Sequence, residues 1–164
     1  MEKIGGDWTK EVQIWDEERK KALEYFQKAM KRWDLSAPKV EPLVLDFGLG
    51  NFFRWGLIEF WIANEEKEGY CGKFLFVFPW QTCPYHHHNF KHETFYVVKG
   101  SIIMRLGKRR IVMWEGDVFS MKQGTGHSFT GRGHPGALLL EVSKPCKPGD
   151  SIFNNKRIGK NGSI

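Results

Sequence analysis

No long hydrophobic run is present in this sequence. Residues 1–10 contain no apolar core of the length found in signal peptides, and every other apolar stretch is far shorter than the roughly 20 residues that span a membrane. These absences argue against a secreted or membrane-spanning protein. They predict a cytoplasmic protein with no membrane partner.

Cysteine is also scarce. The chain has three cysteines, Cys71, Cys83 and Cys146, which cannot all pair with one another. At 164 residues the chain is long enough to bury one well-filled core, so it does not need a disulfide framework. We predict one domain with three reduced thiols.

A concentrated basic surface is missing, although the formal net charge is +6. The basic residues are scattered among acidic ones, and the densest clusters, Lys108-Arg109-Arg110 and Lys156-Arg157, are short. Nucleic-acid binders usually gather their positive charge on one face. The charge pattern therefore predicts no nucleic-acid partner.

A single helix is predicted near the N-terminus, from Glu11 to Trp33. Asp7 or Thr9 can cap its start, and Pro38 marks its end because proline disfavours the helical conformation in the residue before it. Such a helix would pack on the outside of a sheet or on a partner subunit. The apolar residues recur at helical spacing at Val12, Trp15, Leu23, Phe26, Met30 and Trp33.

The rest of the chain is predicted to form short strands. Aromatic residues, 15% of the chain, concentrate there, and Lys99-Gly100-Ser101 and Gly107-Lys108 have the composition of hairpin turns. Many short strands at even spacing are typical of a sandwich or barrel. The strand-like runs are 43–47, 55–64, 70–78, 93–99, 102–106, 109–114, 117–121, 127–130 and 137–143.

These elements predict an all-β protein with an N-terminal α-helix. We divide the chain into an N-terminal helical segment (1–42), a barrel (43–153) and a C-terminal tail (154–164) without periodicity.

The segment 83–93, CPYHHHNFKHE, carries the strongest chemical signal. If residues 86–88 are extended, His86 and His88 share one face, and Glu93 can point toward the same spot from the next strand. Two neutral imidazoles and a carboxylate suit a borderline divalent cation. His127, which follows Gly124-Thr125-Gly126, is a sensible fourth ligand because glycines let the backbone turn tightly. We predict a metal site on these four residues.

The spacing of these ligands resembles the cupin superfamily. His86, His88, Glu93 and Gly100 are spaced as in the first cupin motif, and Gly116, Gly124 and His127 as in the second. The chain departs from the second motif at two positions: Lys122 stands where cupins usually have proline, and Gly131 where they often have asparagine. The resemblance implies a small jelly-roll-like barrel with the metal near its mouth.

A narrower resemblance is to the short bacterial D-lyxose isomerases, which are cupin sugar isomerases. The stretches that carry it, in the order the family shows them, are 46–50 (DFGLG), 78–84 (FPWQTCP), 91–95 (KHETF), 140–143 (LEVS) and 151–153 (SIF).

The resemblance implies a metal-dependent aldose–ketose isomerase. Its substrates would be D-lyxose and D-xylulose, with D-mannose and D-fructose as a second pair, and the proton would move through a metal-stabilised enediolate. Glu141 is the candidate catalytic carboxylate. Lys91 corresponds to a lysine that faces the active site, although the residues alone fit an exposed loop lysine equally well. Three histidines and one glutamate leave room for two substrate oxygens on an octahedral ion such as Mn²⁺, one per chain. A homodimer is expected.

Phe95 is a further candidate for substrate binding, since an aromatic ring can stack on a sugar face, although core packing is the commoner role of such residues.

Other readings remain open at this point. Cupins with this ligand set also hold iron and act as dioxygenases, and a metal-dependent sugar-binding module would need the same ligands without Glu141. A sugar-phosphate isomerase is the nearest chemical neighbour, but the sequence has no clear phosphate clamp.

Overall fold

The computed structural model describes residues 7–164. The first six residues of the predicted N-terminal segment lie outside this range. Within it, no helix is long and apolar enough to cross a membrane.

Two antiparallel sheets form the body of the protein. One has six strands in the order β1-β2-β3-β10-β5-β8, and the other has five in the order β11-β4-β9-β6-β7. This arrangement confirms the predicted all-β, single-domain barrel. The strands are β1 (Leu43–Leu45), β2 (Leu57–Glu65), β3 (Tyr70–Val77), β4 (Thr82–His88), β5 (Glu93–Lys99), β6 (Ser101–Leu106), β7 (Arg109–Trp114), β8 (Val118–Met121), β9 (His127–Arg132), β10 (Ala137–Ser143) and β11 (Ser151–Phe153).

The helix α1 (Asp16–Arg32) packs on the outer face of the six-stranded sheet, as predicted. Phe26 is fully buried there, and its ring centroid lies 4.7 Å from that of Phe60 in β2 and 5.2 Å from that of Phe76 in β3. Strand side chains alternate between two faces, so this sheet supplies one apolar layer to the helix and another to the barrel interior. The interior layer surrounds the site described below.

The start of the helix differs from the prediction. Residues Asp7–Val12 form a 3₁₀ turn, and α1 begins only at Asp16, where the side chain of the N-cap residue Trp15 makes no capping hydrogen bond to the described residues. Val12 and Ile14 explain the difference, because their backbones bond instead to β1 and to the two residues that follow it. The Val12 carbonyl accepts hydrogen bonds from the N–H groups of Asp46 and Phe47 (3.0 Å each), and the Ile14 N–H donates to the Val44 carbonyl (2.9 Å). This pairing covers the edge of the sheet.

One of the two predicted hairpins is wrong. Gly107-Lys108 does join the hairpin β6–β7, but Lys99-Gly100-Ser101 carries the chain from one sheet to the other. Both flanks of β5 are already occupied by β10 and β8, so β6 cannot pair with it. Gly100 suits the crossing because its φ is +79° and a side chain would overlap the carbonyl oxygen of Gly136.

Residues 154–164 form no helix or strand, yet they pack against the barrel. Ile158 is completely buried, and Ile164 exchanges backbone hydrogen bonds with Ser151 (3.1 and 3.2 Å). The division of the chain into three segments stays a prediction.

Gly131 stands where the second cupin motif often has asparagine, and the fold explains the need for glycine at this position. It lies in β9 at the point where the strand approaches the end of β3, and its backbone bonds to the loop between β3 and β4 through Trp80 and Gln81. A Cβ on this residue would overlap the carbonyl oxygen of Phe78. The close approach of these two segments therefore depends on the absence of a side chain.

We predict that Gly131→Ala lowers the free energy of unfolding by about 1–3 kcal/mol, because the backbone must shift to accept the methyl group. Gly72→Ala is the matched control: Gly72 is also in a strand, and a Cβ there meets no atom of the described residues within 4 Å. Chemical denaturation of the two variants measures the difference. Equal stability of the two would contradict this explanation.

Candidate metal centre

Three buried histidines meet at one end of the barrel. His86 and His88 lie on the inward face of β4, while His87 between them is half-exposed, as the alternation of an extended strand predicts. His127, the first residue of β9, is the cross-strand partner of His86. One potential ligand atom from each of the three side chains lies within 4.8 Å of the others. The group could therefore hold a metal ion.

The hydrogen bonds of the three imidazoles fix which nitrogen carries the proton. Each Nδ1 contacts a backbone carbonyl: that of Pro84 for His86 (2.7 Å), of Asp150 for His88 (3.1 Å) and of Thr125 for His127 (3.0 Å). A carbonyl only accepts, so each Nδ1 is the N–H donor and each Nε2 has a free lone pair. This is the arrangement found in metal-ligating histidines.

Glu93 approaches this group from the opposite sheet. It opens β5, and it shares the inward face of that strand with Phe95 and Val97, as predicted. Its carboxylate oxygens lie 3.3 Å from Nε2 of His88 and 3.4 Å from Nε2 of His127. The four predicted ligands thus come together across the two sheets of the barrel.

The charge states of these groups suit a divalent cation. Burial lowers the pKa of His86 and of His127, which keeps both imidazoles neutral at neutral pH. Burial alone would raise the pKa of Glu93, but the groups around the carboxylate, Lys91 first and then His88 and His127, together hold the pKa well below its usual range. Neutral imidazoles beside an ionised carboxylate are ready to bind a metal without first losing a proton.

Two ring nitrogens at this site lack partners. Among residues 7–164, Nε2 of His88 and Nε2 of His127 are buried without any hydrogen-bond partner. Each is an acceptor that faces an ionised carboxylate, and two acceptors cannot bond to one another. A buried polar atom without a partner is costly, and a cation placed among these atoms would satisfy all of them.

Lys91 and Glu141 lie beside the metal centre as a buried ion pair. Lys91 Nζ is 3.1 Å from Glu141 Oε1 and 2.8 Å from Glu93 Oε1. Both residues are less than 5% exposed, so the reading of Lys91 as a free loop lysine is wrong. Burial alone would raise the pKa of Glu141, but the ammonium groups of Lys73 and Lys91 outweigh it and the pKa falls below its usual value. Glu141 is therefore ionised at neutral pH.

Two further members of this charge network, Lys73 and Glu59, were not predicted from the sequence. Lys73 in β3 is buried, and its Nζ lies 3.5 Å from both Glu141 Oε2 and Glu59 Oε2. Glu59 in β2 also accepts a hydrogen bond from the Trp61 indole N–H (2.7 Å). Each of the two charged residues lies two positions from an apolar residue on the inward face of its strand: Leu75 for Lys73 and Leu57 for Glu59. A charged residue at an inward strand position was the signal available in the sequence.

Asp150 is a third residue that the sequence analysis missed. Its buried carboxylate accepts hydrogen bonds from the backbone N–H groups of Asn89, Phe90 and Lys91 (2.9, 3.0 and 3.1 Å). Its carbonyl receives the Nδ1–H of His88. One residue therefore shapes the loop between β4 and β5 and orients a histidine.

A cavity of about 220 Å³ opens onto this site. His86, His88, Glu93, Lys91 and Glu141 line it, together with Phe95, whose side chain is almost fully buried. Aromatic and aliphatic residues make up much of the remaining wall. The apolar part of the wall also includes Leu45, Phe47, Leu57, Trp61, Leu75, Cys83, Phe129, Pro148, Phe153 and Ile164.

Comparison with known proteins agrees with this architecture. The cupin domain family matches residues 74–143. The solved structure of L-ribose isomerase from Cellulomonas parahominis with L-ribose superposes with a TM-score of 0.68, at 15% identity, and the match covers 92% of this chain and 99% of that one. At that identity the likeness shows a shared fold.

Relatives with established names are similar over most of their length. The D-lyxose ketol-isomerase of Cohnella laeviribosi is 30% identical, with 88% of this chain and 92% of the relative aligned. The D-lyxose/D-mannose isomerase of Thermosediminibacter oceani is 28% identical over 70% of this chain and 77% of its own. The chain therefore belongs to the D-lyxose ketol-isomerase family of the cupin superfamily.

Proposed function

We propose that this protein interconverts D-lyxose and D-xylulose, and by the same chemistry D-mannose and D-fructose. Membership of the family makes the chain an aldose–ketose isomerase, and its relatives carry the names of these sugars. One observation supports the proposal above all: a buried carboxylate–ammonium pair, Glu141 and Lys91, stands beside a group of metal-binding side chains in one cavity.

One divalent ion per chain, most suitably Mn²⁺, would be held by His86, His88, Glu93 and His127. The two unpartnered Nε2 atoms support this assignment, because they are oriented acceptors that need a positive partner. The ion would supply Lewis-acid stabilisation of the negative charge that develops on the substrate oxygens.

Glu141 would move the proton between C1 and C2 of the sugar. A general base must be ionised to accept a proton, and the two neighbouring lysines keep Glu141 in that state despite its burial. Ser143 donates a hydrogen bond to Glu141 Oε1 (3.0 Å), and Lys73 lies near Oε2, so the carboxylate is held in place from both sides. Its orientation is fixed before the substrate enters.

Lys91 would stabilise the negative charge that develops on the substrate oxygens, or donate a proton to one of them. Burial and the Lys73 ammonium would lower the pKa of Lys91, but the negative groups around it, Glu141 first and then Glu93 and Cys146, together raise it. The side chain therefore stays an ammonium group in the cavity. An ammonium held beside developing charge favours the transition state more than the ground state.

The cavity wall would recognise the sugar with two kinds of surface. Phe95 and Trp61 offer ring surface to the C–H face of a sugar, while Glu59 and Asn64 offer polar atoms to its hydroxyl groups. A sugar of five or six carbons presents both kinds of surface. The dioxygenase and the non-catalytic binding module gain no such support, because neither needs a buried proton-transfer pair. A homodimer stays an expectation.

We expect the purified protein, supplied with Mn²⁺, to form D-xylulose from D-lyxose and D-fructose from D-mannose. The reaction should stop when EDTA removes the metal and resume when Mn²⁺ is restored in excess. A panel of free aldoses, with ketose detected by chromatography, measures this. Oxygen uptake in the presence of Fe²⁺, with no ketose from any aldose, would instead favour the dioxygenase.

Glu141→Gln should lower kcat for D-lyxose by about 10²- to 10⁴-fold, the usual contribution of a general acid–base group. Metal binding should be unchanged, since Glu141 is not among the four ligands. Glu115→Gln is the control, because Glu115 is a surface carboxylate that, within residues 7–164, pairs with Lys99 alone. Undiminished turnover by Glu141→Gln would refute its role as the base.

Asp150→Ala should weaken Mn²⁺ binding by about 10- to 100-fold, as is typical when a group that orients metal ligands is removed. The carboxylate that holds the loop before Glu93 is lost, while all four ligands remain. Asp117→Ala is the matched control: its carboxylate also accepts a backbone N–H, that of Trp114 (2.7 Å), at a turn. Equal metal affinity of the two variants in titration calorimetry would contradict the role of Asp150.

A further inference from the structure

Two cysteines that have no part in the proposed reaction lie in contact beside the cavity. Cys71 is in β3, and Cys146 lies in the loop between β10 and β11; their sulfur atoms are 3.7 Å apart. The strand pairing explains the contact, because Cys71 is the cross-strand partner of Ser143, where β10 ends. Asn64 then fixes the loop: its side chain accepts the N–H of Cys146 (2.8 Å) and donates to its carbonyl (3.2 Å).

The two thiols differ in their access to small molecules. Cys71 is completely buried, whereas Cys146 is partly exposed and lines the cavity. Nζ of Lys91 lies 3.8 Å from the Cys146 sulfur. A cysteine that is reachable, next to a positive charge and in contact with a second cysteine has the features of a redox-reactive thiol.

We propose that Cys146 is a peroxide-reactive thiol and that Cys71 is its resolving partner, so that oxidation closes a disulfide in the wall of the cavity. The chemical class of reactant is a small hydroperoxide, such as hydrogen peroxide. Cys83 also lines the cavity, but it is excluded from this pair because it is buried and its sulfur contacts the carbonyl of Pro84 rather than a second thiol.

The electrostatics support the same assignment. The hydrogen bond from Cys71 lowers the pKa of Cys146 to about 6, and Lys73 and Lys91 add to this against the effect of burial. The same hydrogen bond, together with burial, raises the pKa of Cys71. Burial raises the pKa of Cys83. Cys146 is therefore the thiolate of the three, and the thiolate is the nucleophile in these reactions.

The chemistry balances with peroxide as the only oxidant. The Cys146 thiolate attacks one peroxide oxygen, the O–O bond breaks, and the leaving hydroxide takes up a proton to form water. Cys71 then attacks the sulfenic sulfur of Cys146: an S–S bond forms, the S–O bond breaks, and the departing hydroxide leaves with the Cys71 proton as a second water. Two thiols lose two electrons, and peroxide gains them.

Closing the disulfide would change the surroundings of Lys91. The two sulfurs must approach from 3.7 Å to the bonded distance of about 2.05 Å, which draws Cys146 toward β3 and removes its negative charge from the ammonium group. We therefore expect oxidation to lower sugar turnover reversibly. This last step rests on the proposed function, whereas the thiol chemistry does not.

The test treats the manganese-loaded protein with hydrogen peroxide and follows it by intact mass and peptide mapping. The wild type should lose two hydrogens and yield a Cys71–Cys146 cross-linked peptide. Cys71→Ser should stop at a sulfenic acid on Cys146 that dimedone traps, and Cys146→Ser should lose thiols about tenfold more slowly or not at all. Cys83→Ser, the matched control, should behave as the wild type.

Turnover of D-lyxose is measured on the same samples before and after treatment with dithiothreitol. We expect turnover to fall as the disulfide forms, to return on reduction, and not to respond to peroxide in Cys146→Ser. Oxidation of Cys83 at an equal rate, absence of the cross-link, or a complete cross-link with unchanged turnover would overturn the proposal. If no isomerase activity exists at all, the mass data still decide the thiol chemistry.

Discussion

The structure depends on one constraint: hydrogen-bond acceptors from two sheets are held in a buried space where they cannot satisfy one another. The carbonyls of Pro84, Asp150 and Thr125 fix the three histidine rings from behind, and the Nε2 edges of His88 and His127 face the carboxylate of Glu93. Such an arrangement is costly unless a positive group enters it. The barrel supplies the rigidity that keeps these atoms together, and the cavity supplies the access.

The buried charged residues around the candidate metal centre also favour a bound cation. Three carboxylates, Glu59, Glu93 and Glu141, and the thiolate of Cys146 face two ammonium groups, Lys73 and Lys91, so the network holds two more negative charges than positive ones. Burying this many charges stabilises a fold poorly, because the cost of desolvation can exceed the gain from pairing. A cation bound at the imidazoles would offset the excess. The proposed reaction in the cavity therefore explains this charge network better than a contribution to the stability of the fold does.

Much of the candidate metal site could be predicted from the sequence because most of its residues lie close together in the chain. His86, His88 and Glu93 lie within eight positions, and the two-residue period of a strand was enough to place them together. Lys73 and Asp150 were missed because their neighbours come from distant parts of the chain: Lys73 meets Glu141 only through the register of β3 and β10. The false hairpin at Gly100 has the same cause, since a turn signal does not reveal which sheet the next strand joins.

Titration of the metal-free protein with Mn²⁺, with the bound ions counted by electron paramagnetic resonance, tests whether the four side chains hold a metal. We expect one tightly bound Mn²⁺ per chain in the wild type and loss of that binding in His127→Ala, because one of the four predicted ligands is removed. Absence of a bound ion in the wild type, or unchanged binding in the variant, would contradict the central claim that these side chains form a metal centre.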